Sequence, residues 1–329
     1  MTVLVTGGAG YIGGHMVLGL LDAGERVVVL DNLSTGFAWA VPEGVELVVA
    51  DFGDAERVER LIGEQQIDAI AHFAARIVVP DSMLDPLGYY LNNTAKARNL
   101  LETATGCEIK RFIFSSTAAV YGDPSRNPVT EDEPLKPLSP YGRSKLMVEW
   151  MLEDVAKAYD FNYVALRYFN VAGGDPKGRA GQSTPNATHL IKVAAQAALG
   201  LRAKMQLFGT DYPTPDGTCL RDYIHVSDLA RAHMDALRYL RGGGASLVCN
   251  AGYERGYSVK EVIETVKRVA GVDFPVEVSG RRPGDAAAIV AANSRIKAML
   301  GWEPRHDDLE EIVRQALAWE RGLAARKRG

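Results

Sequence analysis

The stretch RVVVL at residues 26–30 is apolar at every position after its first, and that lack of alternation constrains the fold more than any other feature. A strand with one wet face alternates apolar and polar side chains. A strand apolar on both sides has both faces covered, as in a parallel sheet flanked by helices. VLVT (3–6), VELVVA (45–50), IDAIAHFAA (67–75), RFIFSS (111–116) and NYVALRYFN (162–170) are further runs of strand length, and helix-period segments such as 11–23 lie between them. This alternation predicts right-handed crossovers and a doubly wound α/β fold.

After residue 170 the texture changes. VAGGDPKGRAGQSTPNATHL is rich in Gly, Pro and polar residues, and the regular alternation stops there. Residues 188–200 read as a helix, 207–226 as mostly turn and loop, and 228–240 as a helix again. ASLVCN (245–250) reads as one more buried strand, with helices near 258–270 and 307–324 around an RRPGD loop. The expected organisation is a large nucleotide-binding domain over 1–170, to which 222–250 returns, and a smaller α/β lobe over 171–329. No internal repeat or low-complexity segment interrupts it.

Composition excludes several classes of function. With 329 residues, 47% hydrophobic and 24% charged, the chain has the make-up of a globular protein with an ample core. A net charge of -4 gives no electrostatic reason to expect nucleic acid or a membrane surface as partner. The basic tail Arg326-Lys327-Arg328 reads as a solvated terminus. Cys107, Cys219 and Cys249 are odd in number and far apart, which argues against a disulfide framework and for a reducing compartment. The histidines lack ligand spacing, so no metal is expected. No leader peptide or membrane-length apolar run is legible, and the expected location is the cytoplasm.

The segment VTGGAGYIGGH follows the first predicted strand and opens the first helix. Gly8, Gly10 and Gly13 satisfy G-x-G-x-x-G, and Gly7, Gly10 and Gly13 satisfy G-x-x-G-x-x-G. Either set permits a tight turn and close backbone approach to a pyrophosphate, which the helix amides then bind. Asp31 ends the second strand, where a carboxylate accepts hydrogen bonds from an adenosine ribose and repels a 2'-phosphate, selecting NAD over NADP. Asp51 follows the third strand, near the expected adenine. These features define a Rossmann-type doubly wound sheet.

In SPYGRSK (139–145), Ser139 is a helix N-cap candidate and Pro140 suits the first turn. Tyr141 and Lys145, at i and i+4, then share one helical face. A free phenol titrates near pH 10, so acting as a base at neutral pH requires nearby positive charge, which Lys145 and an oxidised nicotinamide would provide. Thr117, in FSSTAAVYG at the end of the fifth strand, lies where such sheets place ligand contacts.

Together these features resemble the extended short-chain dehydrogenase/reductase family. TGGAGYIG, DNLSTG, HFAA, SSTAAVYGDP, SPYGRSKLMVE, LRYFNVAG, THLI, LFGTDYPTPDGTCLRDYIHV and RRPGD carry the resemblance, from residue 6 to residue 285. It implies a catalytic set of Thr117, Tyr141 and Lys145. Gly7, Gly10, Tyr11, Ile12 and Gly13 would hold the NAD pyrophosphate, and Asp31, Asn32, Asp51 and Phe52 the adenosine. Phe73, Ala74, Ala75, Asn92, Ser115 and Tyr168, with Tyr141 and Lys145, would line the rest of the cofactor.

Asn170, His189, Leu190, Phe208, Arg221, Arg282 and Asp285, with Thr117 and Tyr141, would hold a UDP-sugar. The arginines suit its diphosphate and Asp285 a ribose hydroxyl. The implied reaction is inversion at C4, UDP-glucose to UDP-galactose and back, in a homodimer joined through helices near 86–104 and 140–157.

Two departures stand out. Arg76-Ile77 occupy the place of a lysine that touches the cofactor in many members, and Ile289 stands four beyond Asp285 where the family gates its sugar pocket. The alternatives are 4-epimerisation of UDP-GlcNAc or another UDP-sugar, a nucleotide-sugar 4,6-dehydratase, and a non-catalytic NAD-binding protein. Dehydratases follow the threonine with acidic residues, whereas Ala118 and Ala119 stand here. A non-catalytic protein needs no intact Thr-Tyr-Lys set.

Overall fold

A computed structural model of the chain describes residues 1–185, 187–282 and 285–326. The first six strands are β1 (Thr2–Thr6), β2 (Arg26–Asp31), β3 (Glu46–Val49), β4 (Ile67–His72), β5 (Arg111–Thr117) and β6 (Asn162–Tyr168). Then come β7 (Asn170–Ala172), β8 (Met205–Phe208), β9 (Leu220–His225), β10 (Leu247–Ala251), β11 (Gly256–Ser258), β12 (Val276–Ser279) and β13 (Ala288–Ile289). The helices of the first half are α1 (Tyr11–Asp22), α2 (Ala55–Gln65), α3 (Val79–Leu84), α4 (Pro86–Tyr89), α5 (Lys96–Gly106) and α6 (Pro140–Ala158), with a π-turn over Tyr90–Ala95 joining α4 to α5. Those of the second half are α7 (Leu190–Ala198), α8 (Val226–Arg241), α9 (Val259–Ala270), α10 (Ser294–Leu300) and α11 (Leu309–Arg326).

Seven strands form the central sheet in the order β3-β2-β1-β4-β5-β6-β10, every neighbouring pair parallel. The unbroken apolar runs are explained by what covers each face. Val3, Val5, Val27 and Val29 turn to the side of α1 and α8, while Leu4, Val28, Leu30 and Ile70 turn to the side of α2, α5 and α6. The register pairs Leu4 with Val28 and Val5 with Val29, so like faces match. Full burial of each such side chain stabilises the fold by about 1.5–3 kcal/mol.

Beyond β6 the chain builds a small sheet of β11, β9 and β13, joined by β7 along β9, and a two-stranded sheet of β12 and β8. One core cluster runs from Val3 and Val5 under α8 to Ile191 of α7, Val262 of α9 and Val313 of α11. The second unit is therefore packed against the first through shared apolar side chains.

Several expectations need correction. The run 162–170 is two strands in two sheets: β6 ends at Tyr168, and Asn170 opens β7 opposite Tyr223. IDAIAHFAA leaves the sheet at His72, because the N–H groups of Phe73 and Ala74 both turn back to the Thr6 carbonyl at 3.0 and 3.1 Å. The segment 207–226 is turn and loop over 209–219, as expected, but not throughout. It contains the end of β8 and all of β9, whose LRDYIH buries Asp222 to accept N–H groups from Tyr253, Glu254 and Ala291 at 3.0, 3.0 and 3.2 Å. Those donors are distant in sequence, and no local pattern announces them. Pro283 and Gly284 of the RRPGD loop, and Lys327 and Arg328 of the basic tail, lie outside the described residues.

Candidate active site

The sheet reverses its winding between β1 and β4, and ligands of such sheets bind at the strand ends beside that point. There Gly7 has φ +74° and a Cβ on it would stand 2.6 Å from the Ala74 nitrogen; a Cβ on Gly13 would stand 2.3 Å from the Gly7 carbonyl oxygen. No side chain fits either position. Gly10 is the N-cap of α1, without a side-chain cap and with no acid in the first turn, so the amides and positive dipole end at Tyr11 and Ile12 suit an anion.

Asp31 lies at the end of β2, where its carboxylate accepts Ala9 N–H at 3.0 Å and Leu33 N–H at 2.8 Å while burial raises its pKa. The cradle, the uncapped helix end and the strand-end carboxylate together fit a dinucleotide.

Other expected cofactor residues fall into place unevenly. The Tyr11 hydroxyl donates to the Gly173 carbonyl at 2.8 Å, leaving its backbone at the helix start. Asn32 donates to Asp51 at 3.4 Å, but Asp51 also takes Lys96 Nζ at 2.6 Å, so its charge is already matched. Phe52 is a core residue, its ring 4.8 Å from that of His72. Phe73 and Tyr168 flank the His233 ring at 4.7 and 6.2 Å. Ala74 backs Gly7, and the half-buried Ala75 follows it.

Asn92 donates to Asn93 at 3.0 Å. The Arg76 guanidinium is bound to Asp85 at 2.6 Å and lies 4.5 Å over the Tyr89 ring. Ile77 is exposed.

The catalytic candidates meet where β5 and α6 touch. Ser139 caps α6, accepting Gly142 N–H at 3.2 Å, and Pro140 is its first residue, so Tyr141 and Lys145 share a buried face. Thr117 acts on the Tyr141 phenol, lowering its pKa, and its hydroxyl accepts Ala119 N–H at 3.1 Å. Lys145 Nζ donates to the Ser115 carbonyl at 2.9 Å and lies 4.9 Å over the Phe114 ring. Ser115 and Tyr168 join their hydroxyls in a hydrogen bond.

Burial pushes Tyr141 up to about 12, against the lowering effect of Thr117. Burial also brings Lys145 down to about 7. In the protein alone the phenol is thus held neutral more firmly than in water.

The third group of candidates gathers on the small sheets. Asn170, His189 and Leu190 line one small cavity with Gln182, Lys192 and Glu320. Gln182 Nε2 donates to His189 Nδ1 at 2.7 Å, and Lys192 is ion-paired to Glu320. On the other side of β9, Arg282 stacks 3.7 Å over the Phe208 ring and Arg221 Nη2 lies 3.8 Å from Asp285. Read alone, these two arginines pass for surface residues, yet the Arg221 side chain is only 13% exposed. Ile289 pairs with Arg221 and packs with Ala118, Tyr121 and Phe169. Thr117 is in register with Tyr168, two residues before Asn170, so Thr117 and Asn170 adjoin.

Sequence reading missed the buried pair Glu149–Arg167 behind this site. The available signal was Glu149's place four residues after Lys145, on the same helical face. Among the described residues no group of His, Cys, Asp or Glu can hold a metal.

This cradle and Thr-Tyr-Lys cluster define an NAD-dependent enzyme of the epimerase and dehydratase class. The chain belongs to the NAD dependent epimerase/dehydratase family, whose model matches residues 3–252. It is 56% identical to a UDP-glucose 4-epimerase of Azospirillum brasilense over 98% of this chain and 92% of that one.

Among solved structures it superposes with TM-score 0.93 on a UDP-glucose 4-epimerase from Bifidobacterium longum in complex with NAD+ and UDP, at 36% identity over 98% of each chain. It superposes with TM-score 0.85 on the UDP-Glc/GlcNAc 4-epimerase from Campylobacter jejuni, at 47% identity over 98% and 99% of the two chains.

Proposed function

We propose that the chain is a UDP-glucose 4-epimerase, interconverting UDP-glucose and UDP-galactose through a 4-keto sugar. The observation that carries this reading is the meeting of Thr117, Tyr141 and Lys145 at the end of β5, beside the glycine cradle. NAD, when bound, would supply the acceptor and donor of one hydride at C4 and, while oxidised, a positive charge.

The cradle glycines, α1 and Asp31 hold that cofactor. Tyr141 takes the 4-hydroxyl proton at Oη, with Thr117 bridging, and returns it after the sugar has presented its other face. Bringing the phenol from about 12 to neutrality needs roughly 7 kcal/mol of charge stabilisation. The Lys145 ammonium supplies part of it in a poorly hydrated site. Arg221 and Arg282 grip the diphosphate, Phe208 the base and Asp285 a ribose hydroxyl, so binding energy rests on UDP and the sugar is free to turn.

The test is incubation with a panel of UDP-sugars and separation of the C4 epimers. Tyr141→Phe is expected to abolish turnover while leaving UDP binding nearly intact; normal turnover would remove the phenol from the mechanism. A wider range that includes UDP-GlcNAc is supported by the likeness to the Campylobacter jejuni enzyme. The apolar turn at Ala118 and Ala119 offers no acid for a dehydratase.

The same reading assigns NAD to 1–170 with 222–250, and the UDP-sugar to the rest of 171–329. The free cysteines support a cytoplasmic location. A homodimer is supported by Leu84, Leu87 and Leu91, exposed by 87%, 78% and 60% on successive turns, and by Trp150 of α6 at 55%.

A further inference from the structure

We propose that Glu149 is a positioning residue for this reaction: clamped by Arg167, it fixes the end of β5 against α6 and so holds Lys145 on the Ser115 carbonyl. The proposal rests on the reading of Tyr141 and Lys145 as the working pair.

The geometry places Glu149 between the two elements that carry the chemistry. It stands one helical turn beyond Lys145 and two beyond Tyr141, and it is buried. Arg167 of β6 holds it bidentately, Nε at 3.0 and 3.2 Å from the two carboxylate oxygens and Nη2 at 2.6 Å. The Ser116 hydroxyl donates to the same carboxylate. Ser116 lies between Ser115, whose carbonyl receives Lys145, and Thr117, which acts on the Tyr141 phenol. One carboxylate therefore ties together the backbone of β5 and the helix that presents the phenol. Arg167 is itself fixed, donating to the Tyr121 hydroxyl at 3.0 Å and the Glu131 carbonyl at 3.3 Å.

A buried ion pair is a poor device for stability alone, since apolar residues of similar volume commonly do as well. Its charge has a use here. Lys145 is buried, faces Ser115 and Phe114 of β5, and has His72 of β4 nearby. His72 is kept neutral by burial, down to about 3, and Tyr141 is neutral as well. Glu149 is the charge that acts on Lys145, raising its pKa against the burial that lowers it to about 7. Around Glu149 stand Arg167 and Tyr163 of β6, Tyr121, and Ser116 of β5; the two tyrosines are pushed up to about 12. Without the carboxylate, Lys145 loses its proton at lower pH and the Tyr141 phenolate loses its partner.

Two variants test this. Glu149→Gln leaves the Arg167 guanidinium buried without its partner, which endangers folding. The double variant Glu149→Gln/Arg167→Met removes both charges and keeps the site balanced. On NAD-loaded protein, kcat is expected to fall by about tenfold or more with KM for UDP-glucose within about twofold. The alkaline limb of the kcat–pH profile should move to lower pH by about one unit.

Carbon NMR titration of Lys145 Cε, assigned by its loss in Lys145→Met, gives a readout independent of turnover and should shift by the same amount. If Lys145 titrates at the wild-type pH in the double variant and only the melting temperature falls, Glu149 is structural and the proposal fails. Failure of the underlying reading would show separately, as turnover retained by Tyr141→Phe.

Discussion

A methyl group at Gly13 would lie 2.3 Å from the Gly7 carbonyl, which is backbone and cannot swing aside. Gly13→Ala is therefore expected to open the cradle and lose NAD, measured as cofactor released from purified protein on denaturation. Gly63→Ala on α2 is the control, because a Cβ there meets nothing within 4 Å; it should keep the cofactor. Equal NAD content in the two variants would disprove the cradle. The glycines, Asp31, Thr117 and the Tyr141–Lys145 pair were legible in sequence because each answers a constraint of its own few neighbours: a turn, a strand end, a helical face. Arg221 and Asp285 were reached only through the family resemblance, and Glu149 not at all, because their partners come from elsewhere in the chain. Arg221 meets Asp285 from across β13, and Glu149 meets Arg167 only once α6 lies along β6.

At the scale of elements, α6 shows how a local signal fixes a remote geometry. Its Ser-Pro start and Tyr-Lys spacing were readable, and the cap forms as expected. What could not be read is how closely the helix approaches the turn after Thr117. A Cβ on Gly142 would stand 2.6 Å from the Ala119 carbonyl oxygen. Gly142→Ala is expected to push the first turn of α6 away from Thr117, lowering kcat by about a hundredfold while NAD content stays near wild type. An unchanged kcat would mean that the spacing of the two elements does not set the reaction. The elements that sequence missed share one property. Their pairing depends on partners far along the chain: β13 has only two residues, and β9 carries Arg221 and Asp222 inside a strand. The central strands that are apolar on both faces needed no such help.

At the scale of the whole molecule, the doubly wound sheet was legible because an apolar run has few other places to go. The single core that passes from β1 to α11 was not, since periodicity does not say which apolar faces meet. If the exposed leucines of α3 to the π-turn meet a second copy, Leu87→Glu should give a monomer by sedimentation; a dimer that persists would exclude that face. The shared core also makes acid stability a global property. Burial holds His15, His225 and His233 down at about 4 and His72 at about 3, against an ordinary value of 6.5. The unfolded chain takes up these protons first, so their stabilisation is full above pH 6.5 and is lost as pH falls towards 4. Asp222, pushed by burial up to about 7, runs the other way, as do Asp31, Asp235 and Asp307, which burial also raises. The stability these carboxyls add is present at low pH and lost as pH rises, so they offset part of the histidine effect. Each net proton is worth ~1.4 kcal/mol per pH unit. The urea midpoint is therefore expected to drop between about pH 6.5 and 4, and less steeply in His233→Leu, which removes one of the buried imidazoles. A midpoint that stays level over that interval would mean these imidazoles are not buried neutral, and that the packing of α8 against the central sheet differs from the one described.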